Sequence, residues 1–460
     1  MNTRGPYGAD SSPAAQREAL RSGELPVAVY GLGKMGLPLA GVYAERTGNV
    51  VGVDVDPAVV AAVERGECHV TGEPGLPELV AEQVEAGRLR ATTDGPAAAT
   101  TAAIHVVIVP TLVADGEPEL SILESVTADV AAGLSAGDLV VVESTVPPGT
   151  CRELLAPTLA EASGVDAFGL AFCPERTSSG RALRDVRGAY PKVVGGVDGE
   201  SARAAALVYD ALTDGEVHVV SDATTAEAVK VFEGVYRDVN IALANEFATL
   251  ADGLGISVRE AIETANRIPY CDLHDPGPGV GGHCIPFYPY FLLAVAGSEL
   301  PVTRTARELN ESMPAWTVSW LAERLGRELE GADVLVLGLT YRAGVEETRA
   351  SPGPEIVEML AQRGATVFAC DPLVDPADHG ARPVAVDAVA DGEFDAVVLV
   401  TPHEAFEGID WGSMAPTLVL DGRDALEIED GDHRHVTLGG SVGGRPQVVD
   451  RGEATPPRTD

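Results

Sequence analysis

Lysine is nearly absent from this chain. Of 32 basic residues in 460, only Lys34, Lys192 and Lys230 are lysine, while Asp and Glu number 70 and the formal net charge is −38. That sign of charge repels phosphate backbones and anionic bilayers, so neither nucleic acid nor a membrane surface is expected as a partner. No run of 18 apolar residues occurs, which removes the usual signal for a membrane span. The first 25 residues carry no apolar core of a secretory signal, and a cytoplasmic location is expected. The six cysteines (Cys68, Cys151, Cys173, Cys271, Cys284 and Cys370) form no CxxC pair and no framework spacing. They read as free thiols in a reducing compartment rather than as disulfides or ligands, and no metal is expected. The balance of 45% hydrophobic and 22% charged residues is that of an ordinary globular protein. An acidic, lysine-poor chain with normal apolar content fits a halophilic setting, where salt screens self-repulsion.

The length allows about two to four domains. Residues 1–24, rich in Gly, Pro, Ser and charge, read as a flexible tail. From Leu25 short apolar runs recur (25–30, 50–55, 104–109, 139–142, 168–172, 192–194 and 217–220) with helical patterns between them. That alternation predicts a parallel sheet covered on both faces over 25–221. Residues 222–314 change to helical periodicity: a long run over 223–255, a second over about 256–266, and a third over 289–330 that Pro301 and Pro314 are expected to break. Strand patterns return at 333–337, 366–369, 396–400 and 417–420, giving a second α/β domain over 315–439. Residues 440–460 read as a second flexible tail. The expected architecture is α/β: two Rossmann-like doubly wound domains joined by a helical central domain with a long linker helix.

Gly31-Leu32-Gly33-Lys34-Met35-Gly36 follows the first strand pattern and opens a helix pattern. In such a turn the first glycine bends the chain, the second admits a pyrophosphate to the backbone, and the third lets helix and strand approach. Asp54 ends the next strand, where a carboxylate holds the ribose 2′-OH of NAD and repels the 2′-phosphate of NADP. NAD is the expected cofactor. A second motif, Pro276-Gly-Pro-Gly-Val-Gly-Gly-His-Cys284, places a thiol in a glycine-rich loop that can close on a ligand. Cys284 is the candidate nucleophile, with the adjacent His283 as a group that could act on its thiol. Lys230 stands on the long helix in a chain that otherwise uses arginine, and a compact ammonium suits a developing oxyanion.

These motifs together, with Glu143–Thr150 (ESTVPPGT), Val109-Pro-Thr111, Cys173-Pro-Glu175-Arg, Arg237-Asp-Val-Asn240 and the 338–349 stretch, resemble the UDP-glucose/GDP-mannose dehydrogenase family. Within it, GGHC and ESTVPPGT resemble the branch acting on UDP-N-acetyl-D-mannosamine. The resemblance runs from about Leu25 to Gly439. It implies oxidation of a UDP-sugar C6 alcohol to the uronate by two hydride transfers to NAD, with a thioester on Cys284. Lys230 would stabilise the oxyanion, Thr111 would hold a water, and Glu175 would assist hydrolysis. Gly31, Gly33, Met35, Gly36, Asp54, Thr111 and Thr145 would meet the cofactor. Arg237, Asn240, Gly281, Arg304, Arg307 and Arg349 would meet the substrate, with Arg349, or Arg304 and Arg307, pairing with its phosphates. The C-terminal domain would bind UDP, and the long helix would form the interface of a homodimer or higher homo-oligomer.

Two positions depart from the family pattern. Gly234 stands where the family has Asn four residues after the lysine, and Tyr288 where it has Asp four residues after the cysteine. Both departed groups serve proton transfer in the family, so UDP-N-acetylglucosamine and UDP-glucose stay open as substrates. A two-electron hydroxyacid-type dehydrogenase, which needs no cysteine, and a non-catalytic homologue are the readings outside the class.

Overall fold

The computed structural model describes residues 5–296, 299–428 and 432–440. Two compact units emerge. The first takes the chain up to Glu233 together with Tyr290–Glu299; the second takes Gly234–Pro289 and the chain from Leu300.

In the first unit, eight strands form one sheet: β1 (Val27–Tyr30), β2 (Val50–Val53), β3 (Leu89–Thr92), β4 (Ile104–Val107), β7 (Leu139–Val142), β8 (Gly169–Phe172), β9 (Lys192–Gly196) and β10 (Val217–Val219). Their order is β10-β9-β8-β7-β4-β1-β2-β3. Every pairing is parallel except β8 with β9, which is antiparallel. Alternate residues of the same strand enter different cores: Val27 and Val29 pack on one face, Ala28 and Tyr30 on the other. That two-sided burial is why these strands read as continuous apolar runs. The strand order reverses at β1, between β2 and β4, and a doubly wound sheet opens its binding crevice there, at the carboxyl ends of the strands. A ribbon of β5 (Leu112–Ala114) and β6 (Glu117–Glu119) follows β4. Its turn is Asp115-Gly116, both at positive φ (51° and 78°), the conformation that a two-residue hairpin loop requires.

Residues 5–24 are not a loose tail. Pro13–Arg21 is a helix, with the Ser12 hydroxyl accepting from the Ala15 N–H and proline in its first turn. Leu20 is fully buried in the first core, Arg203 donates to the Pro6 carbonyl at 2.7 Å, and Arg17 pairs with Asp210 at 3.0 Å. Burial of one apolar face holds a segment that its composition alone would leave mobile. The second expected tail, from 441 onward, lies outside the described residues.

The second unit holds a six-stranded parallel sheet of β11 (Asp333–Leu337), β12 (Thr366–Cys370), β13 (Arg382–Pro383), β14 (Ala396–Leu399), β15 (Leu418–Asp421) and β16 (Arg434–Thr437), ordered β13-β12-β11-β14-β15-β16. It too feeds two cores, Val334 and Val336 on one side, Leu335 and Leu337 on the other. The long helix, Ala223–Leu254, begins in the first unit and ends in the second. Helices Val258–Ala265, Tyr288–Ala296 and Pro301–Leu325 follow. Pro301 starts its helix rather than breaking one, because a first-turn proline gives up an N–H that has no partner anyway. Pro314 does not break the helix either. It lies on a face buried at helical spacing (Ala306, Asn310, Met313, Thr317, Leu321), and burying that face outweighs the roughly 3 kcal/mol that an interior proline costs. None of the described helices is long and apolar enough to cross a membrane.

Candidate active site

The cofactor side is built by the turn after β1. Gly31 has φ +97°, and a Cβ there would stand 2.3 Å from the Ile108 carbonyl oxygen; a Cβ at Gly36 would stand 1.9 Å from that of Gly31. Gly33 differs, since nothing lies within 4 Å of the Cβ position and the backbone is open to an approaching ligand. The three glycines thus divide as a pyrophosphate-binding turn requires: two for close packing and one for access. The Gly36–Thr47 helix starts here with no side-chain cap, so its first N–H groups face the turn. Asp54 follows β2 and steadies the turn, its Oδ2 accepting the Leu32 N–H at 2.8 Å and its Oδ1 the Asp56 N–H at 3.0 Å. A carboxylate has about four acceptor positions, so two backbone bonds leave capacity for a ribose hydroxyl. These residues fit NAD.

Two loops at the carboxyl ends of β4 and β7 lock together. The Thr111 hydroxyl donates to the Thr145 carbonyl at 2.6 Å, while the Ser144 hydroxyl accepts from the Val109 N–H and donates to the Val109 carbonyl, both at 2.8 Å. After β8, Glu175 meets Lys230: the ammonium donates to the Glu175 carbonyl and lies 3.9 Å from its carboxylate. Lys230 is only 8% exposed, which rules out a solvated helix face. One turn earlier on the same helix, the fully buried Glu227 accepts the Gly149 and Cys151 N–H groups at 2.5 and 2.8 Å. Burial raises the Glu227 pKa against these two hydrogen bonds. Met35 joins the group through its sulfur, which accepts from the Thr177 hydroxyl at 2.9 Å.

In the second unit the glycine loop is gripped from several sides. A Cβ at Gly277 would meet the Arg423 guanidinium at 2.1 Å, and the Gly277 N–H donates to the Asn245 side chain at 2.8 Å. Arg423 donates to the Gly279 carbonyl at 3.3 Å and Arg259 to that of Pro276 at 3.1 Å. Burial, then the neighbouring Arg259, lowers the Arg423 pKa to about 10, still protonated at neutral pH. A Cβ at Gly281 would meet Tyr341 at 2.7 Å, and the Gly282 N–H donates to the Arg349 carbonyl at 3.0 Å. Cys284 itself is exposed, and its carbonyl accepts the Tyr288 N–H at 3.0 Å. His283 points to Glu347, and Arg349 lies 3.8 Å from that same carboxylate. The departures at 234 and 288 are one feature. A Cβ at Gly234 would stand 2.1 Å from the Tyr288 ring, so the glycine makes room for the tyrosine.

The substrate candidates divide. Arg237, Arg304 and Arg349 are all exposed. Arg307 is buried, with its guanidinium 2.6 Å from Asp238, and that pairing takes it out of the phosphate contacts expected of it. Asn240 spends its amide on the chain, donating to the Asp272 carbonyl at 2.6 Å and accepting the His274 N–H at 2.9 Å. It shapes the segment leading into the glycine loop. The sequence reading missed Glu227, Arg259, Arg423 and Asn245; only the scarcity of lysine singled out Lys192, which pairs with the buried Glu143.

A doubly wound sheet whose switch point carries this open glycine turn and strand-end acid defines an NAD-dependent dehydrogenase. Comparison with known proteins narrows the class. Residues 25–213, 224–312 and 335–428 match the NAD binding, central and UDP binding domains of one family, and the chain belongs to that family, the UDP-glucose/GDP-mannose dehydrogenases. A UDP-N-acetyl-D-mannosamine dehydrogenase of Pyrococcus horikoshii is 37% identical over 87% of this chain and 96% of its own length. An NDP-N-acetyl-D-galactosaminuronic acid dehydrogenase of Ralstonia nicotianae is 35% identical over 86% of this chain and 95% of its own. Among solved structures, the UDP-D-ManNAc dehydrogenase of Pyrococcus horikoshii superposes with a TM-score of 0.84 at 34% identity, covering 91% of this chain and all of that one. A UDP-glucose dehydrogenase of Pyrobaculum islandicum gives 0.80 at 31% identity, over 87% and 94%. The protein is an NAD-dependent nucleotide-sugar dehydrogenase whose substrate is a UDP-sugar.

Proposed function

We propose that the protein oxidises the C6 alcohol of UDP-N-acetyl-D-mannosamine to the carboxylate through a thioester on Cys284. The observation that carries the reading is an exposed thiol at the end of a loop whose glycines leave no room for side chains, in a chain 37% identical to a dehydrogenase of that sugar. When bound, NAD accepts a hydride from C6 in each of two oxidations, alcohol to aldehyde and thiohemiacetal to thioester, so that each sugar yields two NADH. The protein's own groups do the rest. Thr111 holds the water that takes the alcohol proton. The Cys284 sulfur adds to the aldehyde carbon, and the Lys230 ammonium stabilises the oxyanion that this creates. Water then attacks the thioester carbonyl and loses a proton to Glu175; the C–S bond breaks, releasing the carboxylate and restoring the cysteine. Of the four candidate arginines, Arg237, Arg304 and Arg349 are exposed enough to meet the phosphates.

A second copy of the chain is the proposed partner. Phe232, Tyr236, Leu243, Leu250 and Leu254 are exposed on the long helix at spacings of four and seven, which aligns them in one apolar stripe.

The test is the NADH yield per sugar, with UDP-N-acetylmannosamine, UDP-N-acetylglucosamine and UDP-glucose each offered to wild type and Cys284→Ser. Two NADH from the first sugar alone, lost in the variant, is the expected result. One NADH with an unaffected variant overturns the thioester route in favour of two-electron chemistry, and a preference for another sugar overturns the substrate.

A further inference from the structure

Lys192 is one of only three lysines in the chain and lies outside every motif assigned above. Its ammonium is 2.7 Å from Glu143 Oε2, donates to the Pro174 carbonyl at 3.3 Å, and sits 4.5 Å over the Tyr209 ring. The other Glu143 oxygen accepts from the Tyr209 hydroxyl. Glu143 and Tyr209 are each 1% exposed. Burial, then the Glu143 charge, pushes the Tyr209 pKa far up, so the phenol stays protonated and keeps donating. Glu143 also reaches the Glu175 segment by main chain, its carbonyl accepting the Glu175 N–H at 3.4 Å. Two lysines therefore bond successive carbonyls of one loop, Lys192 that of Pro174 and Lys230 that of Glu175. A cleft lined by Glu143, Glu175, Thr177, Lys192 and Tyr209 joins the buried cluster to the Glu175 side chain.

A buried ion pair is weak evidence of stability, because desolvating both charges offsets most of their attraction; a role in fixing geometry is the better reason to keep one. The residue type agrees. A compact ammonium can serve a carboxylate, a carbonyl and a ring face together, which a planar guanidinium fork cannot do from the same point. This chain retains lysine here against a strong preference for arginine.

We infer that the buried Glu143 and Tyr209, with the half-buried Lys192, form a positioning cluster that fixes the Pro174–Glu175 loop, so that the Glu175 carboxylate is held for thioester hydrolysis. The inference rests on the hydrolytic role of Glu175 proposed above. The three are assigned to positioning Glu175 and not to contact with substrate. Their loss should therefore slow the step that uses Glu175 and spare the hydride transfers that precede it.

The experiment follows NADH by stopped flow and the acyl-enzyme on Cys284 by intact mass, with NAD and UDP-N-acetylmannosamine. Lys192→Met, Lys192→Arg and the double variant Lys192→Met/Glu143→Gln are compared with Glu175→Gln. The double variant leaves no unpaired buried charge, and its thermal melt and NAD affinity report that the fold is kept. Expected is a normal burst of two NADH, followed by acyl-enzyme accumulation and steady turnover roughly tenfold or more below wild type, with only partial recovery in Lys192→Arg. Equal slowing of burst and turnover, or normal turnover in the folded double variant, overturns the inference. Acyl-enzyme accumulating in Glu175→Gln but in none of the Lys192 variants overturns the positioning role alone. No accumulation in any variant overturns the Glu175 reading and the positioning role with it.

Discussion

At the scale of single residues, the chain shows how a departure from a family pattern can be compensated nearby. Gly234 lies inside a continuous long helix, where glycine costs about 1 kcal/mol relative to alanine. Alanine should on that ground stabilise the helix, but its Cβ would stand 2.1, 2.8 and 2.9 Å from the Cδ2, Cγ and Cβ atoms of Tyr288. Because the Tyr288 Cβ is among the clashing atoms, turning the ring cannot relieve the overlap. Overpacking should win, and Gly234→Ala is expected to lose about 1–3 kcal/mol in denaturant unfolding. In a Tyr288→Ala background the ring contacts at 2.1 and 2.8 Å are gone and only the 2.9 Å approach to the Cβ remains, so the same change should cost much less. A destabilising effect of equal size in both backgrounds would show that the ring is not the cause.

At the scale of elements, the two sheets repeat one device. A strand-end acid reaches back to the turn after the neighbouring strand, Asp54 to Leu32 in the first sheet and Asp371 to Leu339 and Thr340 in the second. Burial works to raise the Asp371 pKa, but hydrogen bonds from His403 and from the Leu339, Leu373 and Thr340 N–H groups outweigh it and hold the carboxyl down to about 2. A carboxyl depressed in the folded state adds stability above its unfolded pKa of about 3.9, which is lost as pH falls through the folded value. The difference corresponds to about 2 kcal/mol. Asp371→Asn should therefore be less stable by about that amount at pH 7, and the gap to wild type should narrow steadily between pH 4 and pH 2; a gap that does not change with pH would refute the linkage. On the long helix, Leu243→Glu with Leu250→Glu places charges in the apolar stripe. Light scattering is expected to report a dimer for wild type and a monomer for this variant, and an unchanged mass would refute the interface. The central strands were legible as continuous apolar runs and the long helix by its 3.6-residue period, whereas the more polar β3, β13 and β16 were not singled out. The antiparallel direction of β9 was not legible, since strand direction is set by pairing partners and not by the strand's own residues. The first helix was masked by the composition of residues 5–24, though Ser12-Pro13 carries its start signal.

For the whole molecule, the same contrast separates what the site revealed from what it hid. The glycine turn was readable because crowding at Gly31 and Gly36 and ligand access at Gly33 each call for glycine. The fate of Arg307 was not, because its burial depends on Asp238, 69 residues earlier and on another helix. Net charge is the property that no local pattern expresses. With 70 acidic and 32 basic residues, the protein must attract two phosphate-bearing ligands against a charge of −38. At 0.1 M salt the screening length is about 10 Å, comparable with the spacing of surface charges, and it shrinks to about 3 Å at 1 M. Repulsion between surface carboxylates should therefore fall as KCl rises, and so should repulsion between the protein and its cofactor. Both the melting temperature and the apparent affinity for NAD are expected to increase from 0.1 to 2 M KCl. A protein that binds phosphates through a net basic surface would lose affinity over that range, because salt screens its attraction. Sucrose stabilises by exclusion from the protein surface and screens nothing, so it should raise the melting temperature without changing NAD affinity. If KCl also moved only the melting temperature, the acidic surface would bear on stability alone and not on recruitment of the cofactor.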